Sequence, residues 1–263
     1  MATESASTSE TEQFWRKVLI EGHRPLRVMH TLFRYLPSPP RCKVCHNPFG
    51  GLGGKLVGLF GFHQSRKNPN LCTACCERIP AGGAEVDIAV LFADVRGSTA
   101  LGEQLQPSAY ATLLNRFYRA ATEVLVRHDA IIDKLIGDEV MALFIPGICG
   151  PNYHQRSVEA ASALLRAAGY GRAGQPWIAI GGAINSGITY VGNVGGEGVV
   201  DFTALGDTVN TASRLASSAG AGEVLLSDAV YATVAGRLPD LEKRTLALRG
   251  KEASTEAHVL RAA

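Results

Sequence analysis

The sequence has no run of about 18 consecutive apolar residues, so no segment of it is expected to span a bilayer. Its start, MATESASTSETEQFWRKVLI, lacks the basic opening and long apolar stretch of a secretory leader. The chain is therefore expected in the cytoplasm, with its six cysteines as thiols or metal ligands, because the cytosol keeps thiols reduced. No internal repeat is visible, which sets aside solenoid and propeller architectures. A P-loop is also missing. The glycines of Phe49-Gly50-Gly51-Leu52-Gly53-Gly54-Lys55-Leu56 superficially resemble a phosphate cradle, but Leu56 follows the lysine where Ser or Thr is needed, and no glycine stands five residues before Gly54. A flexible loop is the expectation there. Net charge is small as well, a formal +2, and excludes nothing as a total. Its distribution is uneven. Residues 1–80 hold eleven Lys/Arg against five Glu, and the remainder fifteen against nineteen acids. The basic front suits an acidic partner, a nucleic acid or a membrane surface, or is simply a solvated face.

What is present is enough apolar material for one full core and a smaller appendage: 46% of 263 residues are hydrophobic. Residues 1–10 are Ser/Thr/Glu-rich and are expected to form a disordered tail. In residues 11–40, Phe14, Trp15, Val18 and Leu19, then Leu26, Met29, Leu32, Phe33 and Leu36, recur at helical spacing around Gly22 and Pro25, which predicts two short amphipathic helices. Residues 41–83 form a cysteine-bearing segment and a linker, Ala81-Gly82-Gly83-Ala84.

The main domain is expected over residues 84–263. Val86 to Val95 reads as a buried strand, and Pro107 to Arg127 as a helix begun by a proline in its first turn. Ile131 to Ile136 and Val140 to Ile145 are apolar strands joined by a very short turn, hence an antiparallel hairpin. A helix from Tyr153 to Ala168 and a strand from Trp177 to Ser186 follow. The order β-α-β-β-α-β is that of a ferredoxin-like sheet, an α+β fold. A short hairpin, a helix over about Gly206 to Ser217 and a C-terminal elaboration of strands and a helix complete it.

Asp94 ends an apolar strand and Asp138 sits at the hairpin tip. In the ferredoxin-like order both reach one edge of the sheet. Two carboxylates converging on one point repel unless a cation lies between them, and hard oxygen ligands suit Mg²⁺ or Mn²⁺. Asn210 and Arg214 are four apart in a predicted helix and share one face. Read singly, these are a common turn pair and an ordinary polar helix surface.

Three segments occur together: Phe92-Ala93-Asp94-Val95-Arg96-Gly97-Ser98-Thr99, Lys134-Leu135-Ile136-Gly137-Asp138-Glu139, and Leu205-Gly206-Asp207-Thr208-Val209-Asn210-Thr211-Ala212-Ser213-Arg214. In this order they closely resemble the class III nucleotidyl cyclase family, from about Ala84 to the C-terminus. The resemblance implies that Asp94 and Asp138 bind two Mg²⁺ or Mn²⁺ ions per site, with a carbonyl from Val95. It matches Lys134 and Thr203 to the base-reading pair, Asn210 to the ribose-orienting residue, Arg214 to the transition-state arginine, and Lys251 to a triphosphate-holding lysine. It also implies ATP as substrate, cyclic AMP and pyrophosphate as products, and a head-to-tail homodimer in which metal-binding and base-reading residues of one site come from different chains. Lys134 is a donor only and meets an acceptor such as N1 of adenine, whereas the family's guanylyl members carry Glu there. Thr203 departs from the aspartate of many members and is similar to a bacterial branch. The alternatives are a guanylyl cyclase, or a non-catalytic dimerisation module whose front segment binds nucleic acid or protein.

Cys42-Lys43-Val44-Cys45 and Cys72-Thr73-Ala74-Cys75 are two C-x-x-C pairs with 26 residues between them. Four thiolates so arranged suit a tetrahedral Zn²⁺, or an iron–sulfur cluster. Cys76 is a spare thiol, His46 and His63 are substitute ligands, and Cys149 reads as a lone loop cysteine. The helices ahead of this segment are a place for a regulatory partner, or a cover for the dimer.

Overall fold

A computed structural model of the chain describes residues 10–22, 24–33, 35, 40–65, 71–77, 81–171, 175–196, 199–251 and 253–262. The expected N-terminal tail and the residues Leu36, Pro37, Ser38 and Pro39 therefore lie outside the described residues, save Glu10 of the tail, which is helical.

Residues 10–16 are helical (α1) and run into a π-helical turn, Lys17–Glu21, stopped at Gly22 with φ +80°. Then come α2 (Arg24–Phe33), α3 (Gly51–Gly58), α4 (Thr73–Glu77), β1 (Gly82–Val95), α5 (Ser98–Gln104), α6 (Pro107–Arg127), β2 (Ile131–Ile136), β3 (Glu139–Phe144), α7 (Pro146–Cys149) and α8 (Tyr153–Ala168). The chain ends with β4 (Ile180–Gly196), β5 (Val199–Leu205), α9 (Asp207–Ser218), β6 (Glu223–Ser227), α10 (Asp228–Val234), β7 (Glu242–Leu246) and β8 (Thr255–Arg261).

These elements form two compact units that interleave in sequence. One comprises Met1–Asp87, Ile145–Pro151 and Ile188–Leu205; the other comprises Ile88–Phe144, Asn152–Gly187 and Gly206–Ala263.

The sheet runs in the order β2-β3-β1-β4-β6-β8-β7. Its first four strands, with α6 and α8 between them in sequence, are the ferredoxin-like β-α-β-β-α-β arrangement. β1 runs antiparallel to β3, pairing Ala89 with Phe144 and Asp94 with Glu139. β4 lies parallel to β6. Pro107 opens α6 as expected of its fixed φ, and the helix packs on α8 and β2, burying Phe117, Ala121 and Leu125. Leu91, Leu143, Phe144, Leu165 and Ile180 are fully buried in the same core.

In the first unit the outer half of β4 pairs antiparallel with β5, from Tyr190 opposite Leu205 to Gly196 opposite Val199. This ladder extends β4 well past Ser186, and the strand begins at Ile180 rather than Trp177. The expected linker is also largely strand, since β1 begins at Gly82. Its glycines serve proximity instead of flexibility. A Cβ on Gly192 would lie 2.3 Å from the Gly82 carbonyl oxygen, so only glycine allows these two backbones to meet. The Gly50–Leu56 stretch is likewise not a loop. It forms the start of α3, where a Cβ on Gly54 would come 2.6 Å from the Phe49 oxygen. Cys149, expected in a loop, is buried at the end of α7. Trp15 is buried against Phe202 of β5 with ring centroids 6.1 Å apart.

Candidate active site

Within the second unit, the antiparallel pairing of β1 with β3 carries Asp94 to the end of the sheet that holds the β2–β3 turn. Gly137 supplies the turn with φ +60°, a conformation other residues adopt only with strain. The Val95 N–H then donates to the Asp138 carbonyl oxygen at 3.2 Å, so the two aspartates are fastened through backbone at one rim. Tyr118 of α6 braces the turn from behind, its hydroxyl donating to the Gly137 carbonyl.

The rim is crowded with negative charge. Burial raises the Asp94 carboxyl above its ordinary range; Arg96, ion-paired to it, pulls it back, and Asp138 pushes it further up. Glu139, directly opposite Asp94 in the ladder, is pushed up to about 7, first by burial and then by Asp94 and Asp138, with Arg96 opposing. Glu139 was present in the hairpin motif but received no role from sequence. The signal was available in the register: the residue after Asp138 must face the strand that bears Asp94.

Arg96 reaches further. Its Nη1 donates to the Ala219 carbonyl at 3.1 Å, just past the C-terminal end of α9, where a cation is favoured by the helix dipole. At the other end of α9, the buried Asn185 of β4 donates through Nδ2 to the Thr208 carbonyl at 2.9 Å. This helix, so held, carries Asn210 on its exposed surface and the half-buried Arg214 one turn on. Arg214 lies beside Gly250, and Lys251 is ion-paired with Asp207 at 2.5 Å. Because the Asp207 side chain is 73% exposed, that pair is worth about 0–1 kcal/mol and a polyphosphate can displace it.

The site residues thus fall into groups. Asp94, Val95 and Asp138 are together, as are Asn210, Arg214 and Lys251. Among the described residues no hydrogen bond or ion pair joins Asp94 or Asp138 to Asn210 or Arg214. Lys134 lies on β2 beside a bulge, opposite Met141, with its Nζ 4.0 Å from Asp133. Thr203 belongs to the first unit, buried on β5 opposite Gly192.

Residues 83–261 match the family model described as the adenylate and guanylate cyclase catalytic domain. The chain belongs to the class III nucleotide cyclase family. It is similar to a solved adenylyl cyclase, CyaB from P. aeruginosa, at 29% identity and TM-score 0.57, over 68% of this chain and 96% of that one. It is similar also to the guanylyl cyclase Cya2, at 27% identity and TM-score 0.61, over 69% and 95%. Among curated relatives, an uncharacterised protein of Mycobacterium tuberculosis is 34% identical over 78% of this chain, and an adenylate cyclase of Anabaena cylindrica 32% identical over 53%. The chain spans 38% and 29% of the length of those two relatives. Both base specificities thus occur among the cyclases it resembles. Among the described residues, no helix is long and apolar enough to cross a membrane.

In the first unit, Cys42, Cys45, Cys72 and Cys75 are all buried, and their sulfurs lie within 4.8 Å of one another. None is in a disulfide. Burial opposes ionisation of Cys42, yet hydrogen bonds from the other three thiols hold it well below the ordinary thiol range. The substitute ligands are not needed: the His46 ring lies against that of His30, centroids 3.7 Å apart and planes tilted by 33°, and His63 is exposed.

Proposed function

We propose that this cyclase domain converts ATP to 3′,5′-cyclic AMP and pyrophosphate. The observation that carries the reading is the fastening of Asp94 and Asp138 at one sheet rim, where burial, and then the neighbouring Asp138, hold the Asp94 carboxyl above its ordinary range against the pull of Arg96. Arg96 offsets only part of the negative charge of this rim, and its hard oxygen donors fit Mg²⁺ or Mn²⁺. Asp94, Asp138 and the Val95 carbonyl would hold two such ions, which when bound supply Lewis acidity at the ribose hydroxyl and the phosphates.

The remaining roles belong to side chains. Asn210 orients the ribose so that its 3′-oxygen faces the α-phosphorus in line with the departing pyrophosphate. Arg214, one helical turn away, offsets the charge that develops on the phosphoryl oxygens, and Lys251 leaves Asp207 to hold the triphosphate. Lys134 donates to N1 of adenine while Thr203 accepts from its amino group. Guanine carries a hydrogen at N1 and would face a donor with a donor, which is the argument for ATP over GTP.

A second copy of the chain completes the site in this reading, in a head-to-tail homodimer. Two features support it. Among the described residues no hydrogen bond or ion pair ties Asp94 or Asp138 to Asn210 or Arg214, and Leu135 and Ile136 beside Lys134 are exposed apolar residues that suit burial against a partner. The intact set of Asp94, Lys134, Asp138, Asn210 and Arg214 speaks against a purely structural module.

The test is to incubate the purified full chain with Mn²⁺ and ATP, and in parallel with GTP, with Asp138→Ala as control. Cyclic AMP from ATP, absent in the control, is the expected result. Greater turnover of GTP would reverse the base assignment, and no product from either nucleotide would overturn the reading.

A further inference from the structure

The four cysteines of the first unit play no part in the proposed chemistry, yet their surroundings are built around sulfur. Cys42 N–H donates to the Asn47 carbonyl at 2.8 Å and the Cys42 carbonyl accepts from His46 N–H at 2.9 Å, closing a tight turn in which His46 takes φ +59°. On the second pair, Cys75 N–H points at the Cys72 sulfur, 3.4 Å away. Isolated backbone bridges, Arg41 with Pro48 and Gln64 with Cys72, hold the two turns. A protein that merely buried four cysteines in its core has no need to aim a backbone amide at sulfur or to bring four thiols to one point.

The spacing identifies what fits. Ligands about 2.3 Å from one ion at tetrahedral corners stand about 3.8 Å apart. Cys45 and Cys72 sulfurs are 3.6 Å apart, and all four lie within 4.8 Å of one another. An iron–sulfur cluster interposes iron and sulfide between the thiolates and spreads them further. One ion fits and a cluster does not.

The same knot grips β5. Lys43, between the first two cysteines, is ion-paired through Nζ to Asp201 at 2.5 Å, with its own side chain only 7% exposed. Alternation along the strand puts Thr203 on the same face of β5 as Asp201 and puts Phe202, stacked on Trp15, on the other. The strand is thus clamped from both faces, and the clamp on the Thr203 face begins inside a C-x-x-C turn.

We infer that Cys42, Cys45, Cys72 and Cys75 hold a single tetrahedral Zn²⁺, and that this ion, through Lys43 and Asp201, fixes the strand that carries Thr203. The importance of that strand for nucleotide selection rests on the cyclase reading above; the metal and the clamp do not.

The experiment separates the two. The full chain, purified from zinc-supplemented medium, is analysed for metal by mass spectrometry, and hydrogen exchange is followed at β5 before and after chelation. One zinc per chain is expected, with cobalt substitution giving the strong visible absorption of a tetrahedral tetrathiolate site. Removing zinc is expected to speed exchange at residues 201–205 by about tenfold or more while α8 keeps its protection. Lys43→Met is expected to retain the zinc and still loosen β5, which guards against a Cys42→Ser variant that simply fails to fold. Stoichiometric iron with labile sulfide, or a metal-free chain after zinc supplementation, overturns the site. Unchanged β5 protection after zinc loss overturns the clamp. If metal and protection behave as expected while no cyclic nucleotide forms, the inference stands and the catalytic reading falls.

Discussion

Asp94 stands directly across the β1–β3 ladder from Glu139, the residue that follows Asp138. Three carboxyl groups therefore share one rim with, among the described residues, a single close guanidinium, that of Arg96. Removing charge here relieves repulsion among the carboxyls while removing a metal ligand of the proposed site. Asp94→Asn is thus expected to lower turnover by about 100-fold or more and to leave the melting temperature unchanged or higher. Kinetics and a thermal melt on the same preparation decide it. A variant that is both destabilised and active would contradict the arrangement.

Tyr118 acts on the same turn without touching substrate in this reading. Loss of one hydrogen bond is worth about 0.5–1.5 kcal/mol, so Tyr118→Phe is expected to reduce kcat/KM by up to about tenfold. The Mn²⁺ concentration giving half-maximal rate should rise with it, because the turn carrying Asp138 is loosened. An unchanged metal dependence would show that the hydroxyl is dispensable.

Sharing of the site between chains has a numerical signature. Asp94→Ala and Arg214→Ala homodimers are each expected to be inactive. Random exchange makes half of the dimers mixed, and each mixed dimer has one intact site of two, so about one quarter of wild-type activity should return. No recovery after verified exchange of subunits would place the whole site in one chain.

Base choice is expected to follow charge at position 134. Lys134→Glu replaces a donor by an acceptor and should depress kcat/KM for ATP by about 100-fold, with GTP gaining relative to it. Competition between the two nucleotides in one reaction measures the shift directly.

Far from the rim, Glu223 is clamped by Arg244 at 2.7 and 2.8 Å and by Arg261 at 2.6 Å, and accepts from the Gly220 N–H. Arg244 is the main cause of a carboxyl lowered from 4.5 to about 2. A depressed carboxylate stabilises the fold at pH above its unfolded value, and that stability is lost as pH falls from about 4.5 towards 2. Glu223→Gln is expected to cost about 2 kcal/mol at neutral pH and to flatten this acid limb. Denaturant melts between pH 7 and pH 3 test it; parallel curves for the two proteins would assign the acid sensitivity elsewhere.

Much of the domain was legible in the residues. The helices Pro107–Arg127 and Tyr153–Ala168 stand at the bounds their periodicity and Pro107 predict, and β2 likewise, because strong periodic patterns and a first-turn proline are local signals. Glycine misled in two places. Gly82-Gly83 and Gly50–Gly54 look like flexible punctuation, whereas both permit close backbone approach, to Gly192 in one case and Phe49 in the other. A sequence shows that a side chain is missing but not what fills the space.

The local elements, the family and the residue types available for chemistry can be read from the residues, since these depend on patterns a few residues long and on three short motifs. Which groups meet follows from the folded chain alone: Asp94 with Glu139, Arg96 with the end of α9, and Lys43 with Asp201 across 158 residues of chain. Such meetings depend on strand register and on the return of distant segments to one unit, and a shift of one residue in register turns every side chain of a strand to its other face.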